Sequence, residues 1–263
     1  MKQIRSLITG LVVCGVALAM AANLSAQTVQ QGIVKIVNIK GSARFMAAGG
    51  TAWQPLKIGT LLKAGTVIQT AGDNSYVDAV LNNASAFEAP PQTDLASPMS
   101  TGGMQPKAEQ DAIRIYENSV LGVEKLTVTQ TGADTVTETL LDLKHGNIFG
   151  TVKKLTGAST YQVKIPNGVA GIRGTIYHIS ADGILSVISG SVVLAYIGSD
   201  GNPVTQVVTA GQQFDSRTGK LTSIPLPDQE KWRLAFLPFQ HQVKLPPLHR
   251  PPGTPVEPMR GRT

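Results

Sequence analysis

Four histidines, one cysteine and a scatter of acidic residues are the groups in this chain best suited to hold a metal or move a proton. His145 and His178 lie in the body of the chain, and His241 and His249 lie near its end. No H-E-x-x-H or H-x-H run occurs, and Cys14 has no second cysteine, so a transition-metal site lacks its ligand cluster. There is no G-x-S-x-G elbow and no P-loop. Gly168, Gly171 and Gly174 form G-x-x-G-x-x-G, but a strand follows, not a helix whose N-terminus would hold phosphate. Asp182 and Asp200 read as turn formers. His178 falls on the strand face opposite Thr175, Tyr177 and Ile179, and is expected to face solvent. The expectation is a protein with no catalytic centre, no metal and no cofactor.

The elements that organise the chain centre on Tyr161–Tyr177. Tyr161, Val163 and Ile165 alternate with Gln162 and Lys164 at the period of a half-buried strand. Pro166 ends it, having no N–H for the ladder. Gly168, Gly171 and Gly174 then recur every third residue, with Arg173 before the last, and Thr175 opens the next strand. Such glycines indicate positive φ or close approach of backbone. The five donors of Arg173 are expected to bond loop carbonyls or a carboxylate, with the side chain at least partly buried.

V-A-G-I-R-G-T at 169–175, S-G-S-V-V-L at 189–194 and A-G-Q-Q at 210–213 together resemble the FecR domain family. Earlier pieces resemble it in the same order: Val34 to Gly41, then Trp53, Leu56, Gly59, Leu62, Gly65, Ile68 and Thr70. Asn118, Ser119 and Leu121, with Leu143 and Gly146, continue the series. The resemblance covers roughly residues 33 to 215. It makes Gly168, Gly171, Arg173, Gly174 and Thr175 a structural motif, with no binding residue assigned. The family is known for inner-membrane proteins that relay an outer-membrane transporter signal, such as ferric citrate uptake, to an extracytoplasmic-function sigma factor, and this chain resembles them only in their periplasmic half.

Composition sets the compartment and class. Aromatics are 5% and charged residues 15%, with 27 glycines and 16 prolines among 263 residues, which reads as a turn-rich β protein. Lys2 and Arg5 precede an apolar run from Leu7 to Ala22, and Leu24-Ser25-Ala26 offers a cleavage site before Gln27. That run is short of the ~20 residues a membrane span requires. A Sec-type signal peptide over residues 1–26 and a periplasmic or secreted protein are expected, with membrane attachment only if the segment stays uncleaved. Cys14 lies inside it, so the mature chain has no thiol chemistry. The formal charge is +6, or +4 without Lys2 and Arg5, and no basic cluster concentrates it, so nucleic acid is not an expected partner.

In chain order, residues 27–225 are expected to form one FecR-like β domain. Leu56, Leu62 and Ile68 recur every six residues around Gly59 and Gly65, a spacing foreign to a helix. Trp53 is expected to close the core as a wedge. Residues 84–111, with four prolines and little apolar periodicity, read as a flexible insertion. Asp182-Gly183 is the preferred pair for a type I′ hairpin. Residues 226–263 read as a short helix from Asp228, plugging an open end or edge, and a disordered proline-rich basic tail. The expected fold is all-β, a solenoid-like or rolled stack of short antiparallel or mixed strands, with a β-sandwich as the alternative.

The function expected first is a non-enzymatic extracytoplasmic binding or scaffold module, with an envelope protein, peptidoglycan or another glycan as partner. The alternative is a periplasmic sensor component feeding an extracytoplasmic-function sigma/anti-sigma pathway. Only Met1 to Ser6 precede the apolar run, so that role is expected to be indirect.

Overall fold

The computed structural model describes residues 29–82, 111–131 and 134–240. The expected signal peptide, nearly all of the 84–111 insertion and the tail beyond residue 240 lie outside them. Two sheets and one helix account for the described chain. The first sheet runs, in spatial order, β17 (Pro203–Thr209), β16 (Ser191–Ile197), β13 (Gly168–Ile172), β12 (Thr160–Ile165), β10 (Asp134–His145), β9 (Val120–Thr131), β6 (Thr66–Thr70), β3 (Ala43–Met46) and β4 (Trp53–Pro55). A short β1 (Val29–Gln31) also pairs with β9. The second sheet runs β19 (Lys220–Ser223), β18 (Gln212–Asp215), β15 (Ile184–Ser189), β14 (Ile176–Ser180), β11 (Asn147–Thr151), β8 (Ala112–Ile115), β7 (Tyr76–Asn82), β2 (Ile33–Lys40) and β5 (Leu61–Leu62). Helix α1 spans Leu226–Gln240.

Strand order in space nearly follows strand order in the chain. The chain passes back and forth between the sheets and extends both in the same direction. Alternating apolar residues from both sheets meet in one core: Ile68, Leu121 and Val163 from the first, Val34, Val77, Ile113 and Leu185 from the second. The expected all-β chain with a C-terminal helix is present. The pairing does not establish a solenoid, because stacked rungs pair in parallel and among the described strands only β10 and β12 do so. Both sheets are open, and the layout is sandwich-like.

Asp182-Gly183 does join β14 to β15, but not as a type I′ pair: Gly183 takes φ +99° while Asp182 stays out of the positive-φ region, and the Gly183 N–H donates to the Ser180 carbonyl in a three-residue loop. Trp53 is not a core wedge. It lies on the edge strand β4, 37% exposed, because a three-residue edge strand has neighbours on one side only.

Candidate functional site

The Gly168–Thr175 motif sits where the chain leaves β13 in the first sheet for β14 in the second. Gly174 takes φ +65°. Gly168 packs on β16 so closely that a Cβ would lie 2.5 Å from the Ala195 carbonyl oxygen. Gly171 is less constrained, since its nearest such neighbour is 3.7 Å away. Thr175 is fully buried and its hydroxyl donates to the Ser191 carbonyl at 2.9 Å. Its backbone exchanges two hydrogen bonds with Val152. Arg173 donates from Nη2 to the carbonyls of Thr156 (2.9 Å) and Leu155 (3.4 Å). The bonding matches the expectation for such a loop, but the burial does not: Arg173 is exposed, because it lies over the β11–β12 connection instead of beneath it. The motif is a clasp between sheets.

The polar groups gather elsewhere, on the outer face of the second sheet. Register aligns Asn38, Asp78, Arg114, Phe149, His178 and Ser186 in one row across β2, β7, β8, β11, β14 and β15. Arg114 grips Asp78 through two bonds, Nε to Oδ1 at 2.7 Å and Nη2 to Oδ2 at 2.9 Å. Asn38 donates to the same carboxylate at 3.2 Å. The Arg114 guanidinium also lies 4.3 Å from the centre of the Tyr76 ring. The carboxylate is wholly buried and the guanidinium 10% exposed, so each charge depends on the other for its solvation.

Helix α1 lies over this face, not over an end or an edge. Trp232 stacks on His178 with ring centres 3.9 Å apart, and Phe149 stacks behind it at 6.2 Å. Ala112, Ile176, Ile224 and Ala235 complete a second apolar cluster there. His178 is therefore buried, although it points away from the main core as its position in the strand requires. Burial, with the Lys231 ammonium adding to it, pushes the imidazole down to about 3. Its Nε2 meets the Asn147 side-chain oxygen at 3.2 Å. Three neighbouring polar atoms, His178 Nδ1, Ser186 Oγ and Trp232 Nε1, are buried without a hydrogen-bond partner among the described residues. Tyr116 stands edge-on to His178 and Trp232, and burial pushes its phenol up to about 12 against the pull of Arg114. A cleft of about 380 Å3 opens beside it, bounded by Tyr76, Arg114, Tyr116, Glu117 and Lys231.

This arrangement holds charge and aromatic surface but lacks the parts of a reaction centre. Among the described residues no group of three His, Cys, Asp or Glu side chains is placed to hold a metal. His145 bonds the Asn118 carbonyl at 2.7 Å, far along the chain from His178. Asp200 accepts from the Asn202 backbone and side chain, as a turn former does. His241 and His249 lie outside the described residues. The Asp78–Arg114 pair went unforeseen; its signal was a single charged residue at an outward position in each of two strands otherwise free of charge, Tyr76–Asn82 and Ala112–Ile115.

The strands that carry the row and the clasp also carry the relationship to known proteins. Residues 106–193 match the family described as FecR protein. This FecR segment begins just before β8 and ends within β16, so it supplies the middle of both sheets. No curated protein matches the chain. A crystal structure of a proposed anti-sigma factor from Parabacteroides distasonis ATCC 8503 is similar at 14% identity and a TM-score of 0.32, over 44% of this chain and 51% of that one. A second structure under the same description gives 14% and 0.34, over 51% of this chain and 61% of the other. The chain thus spans between half and two thirds of those proteins, and the likeness adds no argument about the site.

Proposed function

We propose that this chain is a non-enzymatic extracytoplasmic binding module that serves as a sensor component of an extracytoplasmic-function sigma/anti-sigma pathway. The observation that carries this reading is the FecR match at residues 106–193, which falls on the central strands of both sheets and includes the Gly168–Thr175 clasp. The geometry supports a binding role: rigid paired strands, a clamped crossover and a helix fixed across one face form a body suited to presenting surface. In this reading residues 1–26 direct export, and the two-sheet body meets its ligand or partner protein outside the cytoplasm. Occupancy is then passed to a sigma regulator in the manner the family resemblance implies.

Deleting the gene and profiling transcripts tests the pathway. The expected result is a changed output of one extracytoplasmic-function sigma regulon, restored by the intact gene. Unchanged regulons under iron limitation and under envelope stress would sink the signalling reading. Mass spectrometry of the mature N-terminus, with fractionation, tests compartment separately; a full-length cytosolic chain would rule out export.

A further inference from the structure

At the β4 end of the first sheet lies a surface groove of about 530 Å3, bounded by Ser42, Arg44, Trp53, Gln54, Pro55 and Gln69. Register brings these residues together. Arg44 on β3 stands opposite Pro55 on β4 and Gln69 on β6, and Trp53 stands opposite Met46 two residues along. The Arg44 guanidinium backs one side of the indole, 4.6 Å from its centre. Its Nε donates to the Gln69 side-chain oxygen at 2.9 Å. No carboxylate pairs with Arg44 among the described residues. Trp53 nevertheless keeps 37% of its surface open.

We propose that this groove binds an acidic polysaccharide, placing the ring of a carboxylate-bearing hexose against Trp53 and its carboxylate on Arg44. A flat indole offers apolar surface to the C–H side of a sugar ring. The Gln69 amide, whose oxygen accepts from Arg44 Nε, offers two N–H donors to a neighbouring hydroxyl. The Arg44 fork fits a carboxylate, and with Nε already committed to Gln69 its Nη groups are left to make the contact. Because Gln69 and Trp53 hold the guanidinium in advance, a ligand orders little on arrival. The volume lies in the range of small-ligand sites. A peptide adding as a strand fits worse, because β4 offers only three residues and ends in Pro55, which has no N–H to give. The inference names a ligand class for the binding-module reading and does not require the sigma pathway.

The full chain should be tested with polygalacturonate as the acidic probe and dextran as the neutral one. Trp53 and Trp232 are the only two tryptophans, so a Trp232→Phe background leaves Trp53 as sole indole reporter. Polygalacturonate is expected to shift its fluorescence saturably, and dextran is not. In the parent chain Trp53→Ala should weaken binding at least tenfold with an unchanged melting temperature, while Trp53→Phe retains part of it. Arg44→Gln should remove the preference for the acidic polymer. Binding that survives Trp53→Ala, or that moderate salt abolishes equally in parent and Arg44→Gln chains, would show attraction by general charge and overturn the proposal. So would the absence of any polygalacturonate binding. These readouts are independent of the regulon measurement, so failure of one reading leaves the other standing.

Discussion

On the outer face of the second sheet, Asn38, Asp78, Arg114, Phe149, His178 and Ser186 stand in a row that α1 helps to shut from water. The corresponding row of the first sheet, Trp53, Met46, Val67, Gly122, Asp142 and Lys164, has no helix over it among the described residues. Both rows arise from the same alternation along paired strands. What separates them is the cover. Where the row is buried an ion pair becomes a structural bond, whereas Lys164 and Glu124, 3.1 Å apart in the open, stay hydrated whether or not they meet.

The contrast breaks most visibly at Asp78. Asp78→Ala removes the carboxylate that accepts two bonds from the buried Arg114 cation and is expected to cost about 3–5 kcal/mol in denaturant unfolding. Replacing both partners by Leu and Met should recover most of that loss; if it does not, the pair contributes more than mutual solvation. Next in size is Trp232→Ala, which removes the stacks on His178 and Phe149 and is expected to cost about 3 kcal/mol. Near-ultraviolet dichroism should change while the far-ultraviolet strand signal persists, since both sheets pair without α1.

Acid sharpens the same comparison. His178 is neutral in both states above its unfolded value of 6.5, and there it gives no pH dependence. Below 6.5 the unfolded chain takes up a proton that the folded site refuses until about 3. Stability therefore falls through that window, by about 2 kcal/mol at pH 5, and His178→Gln should flatten the slope. An unchanged slope in that variant would place the acid sensitivity elsewhere. Smaller still is Arg173→Ala, which removes two bonds from an exposed guanidinium and should cost under ~1 kcal/mol. Smallest is Lys164→Ala on the open sheet, expected to leave the melting temperature where it was.

Much of this was legible in the chain. The alternation of Tyr161, Val163 and Ile165, the stop at Pro166 and the turn at Asp182-Gly183 are local signals, and the structure follows them. His178 and Trp53 show where local signals end. The sequence places His178 on its strand and Trp53 in the core, but exposure depends on what lies above a face or beside an edge, and no periodicity reports that. His178 is covered by a helix some fifty residues later in sequence, and Trp53 lacks a neighbour on one side. Asp78 and Arg114 were missed for the same reason, since a charged residue at an outward strand position looks solvated until its cover is known.

The near-agreement between position along the chain and position in the sheets has a bearing on how the molecule is made. From β4 onward, every strand finds at least one of its hydrogen-bonding neighbours already synthesised: β6 adds to β3, β11 to β8, β14 to β11 and β18 to β15. A polypeptide emerging amino end first can thus extend a growing edge on either layer without waiting for its far terminus, and α1 arrives last to close over strands that are already in place.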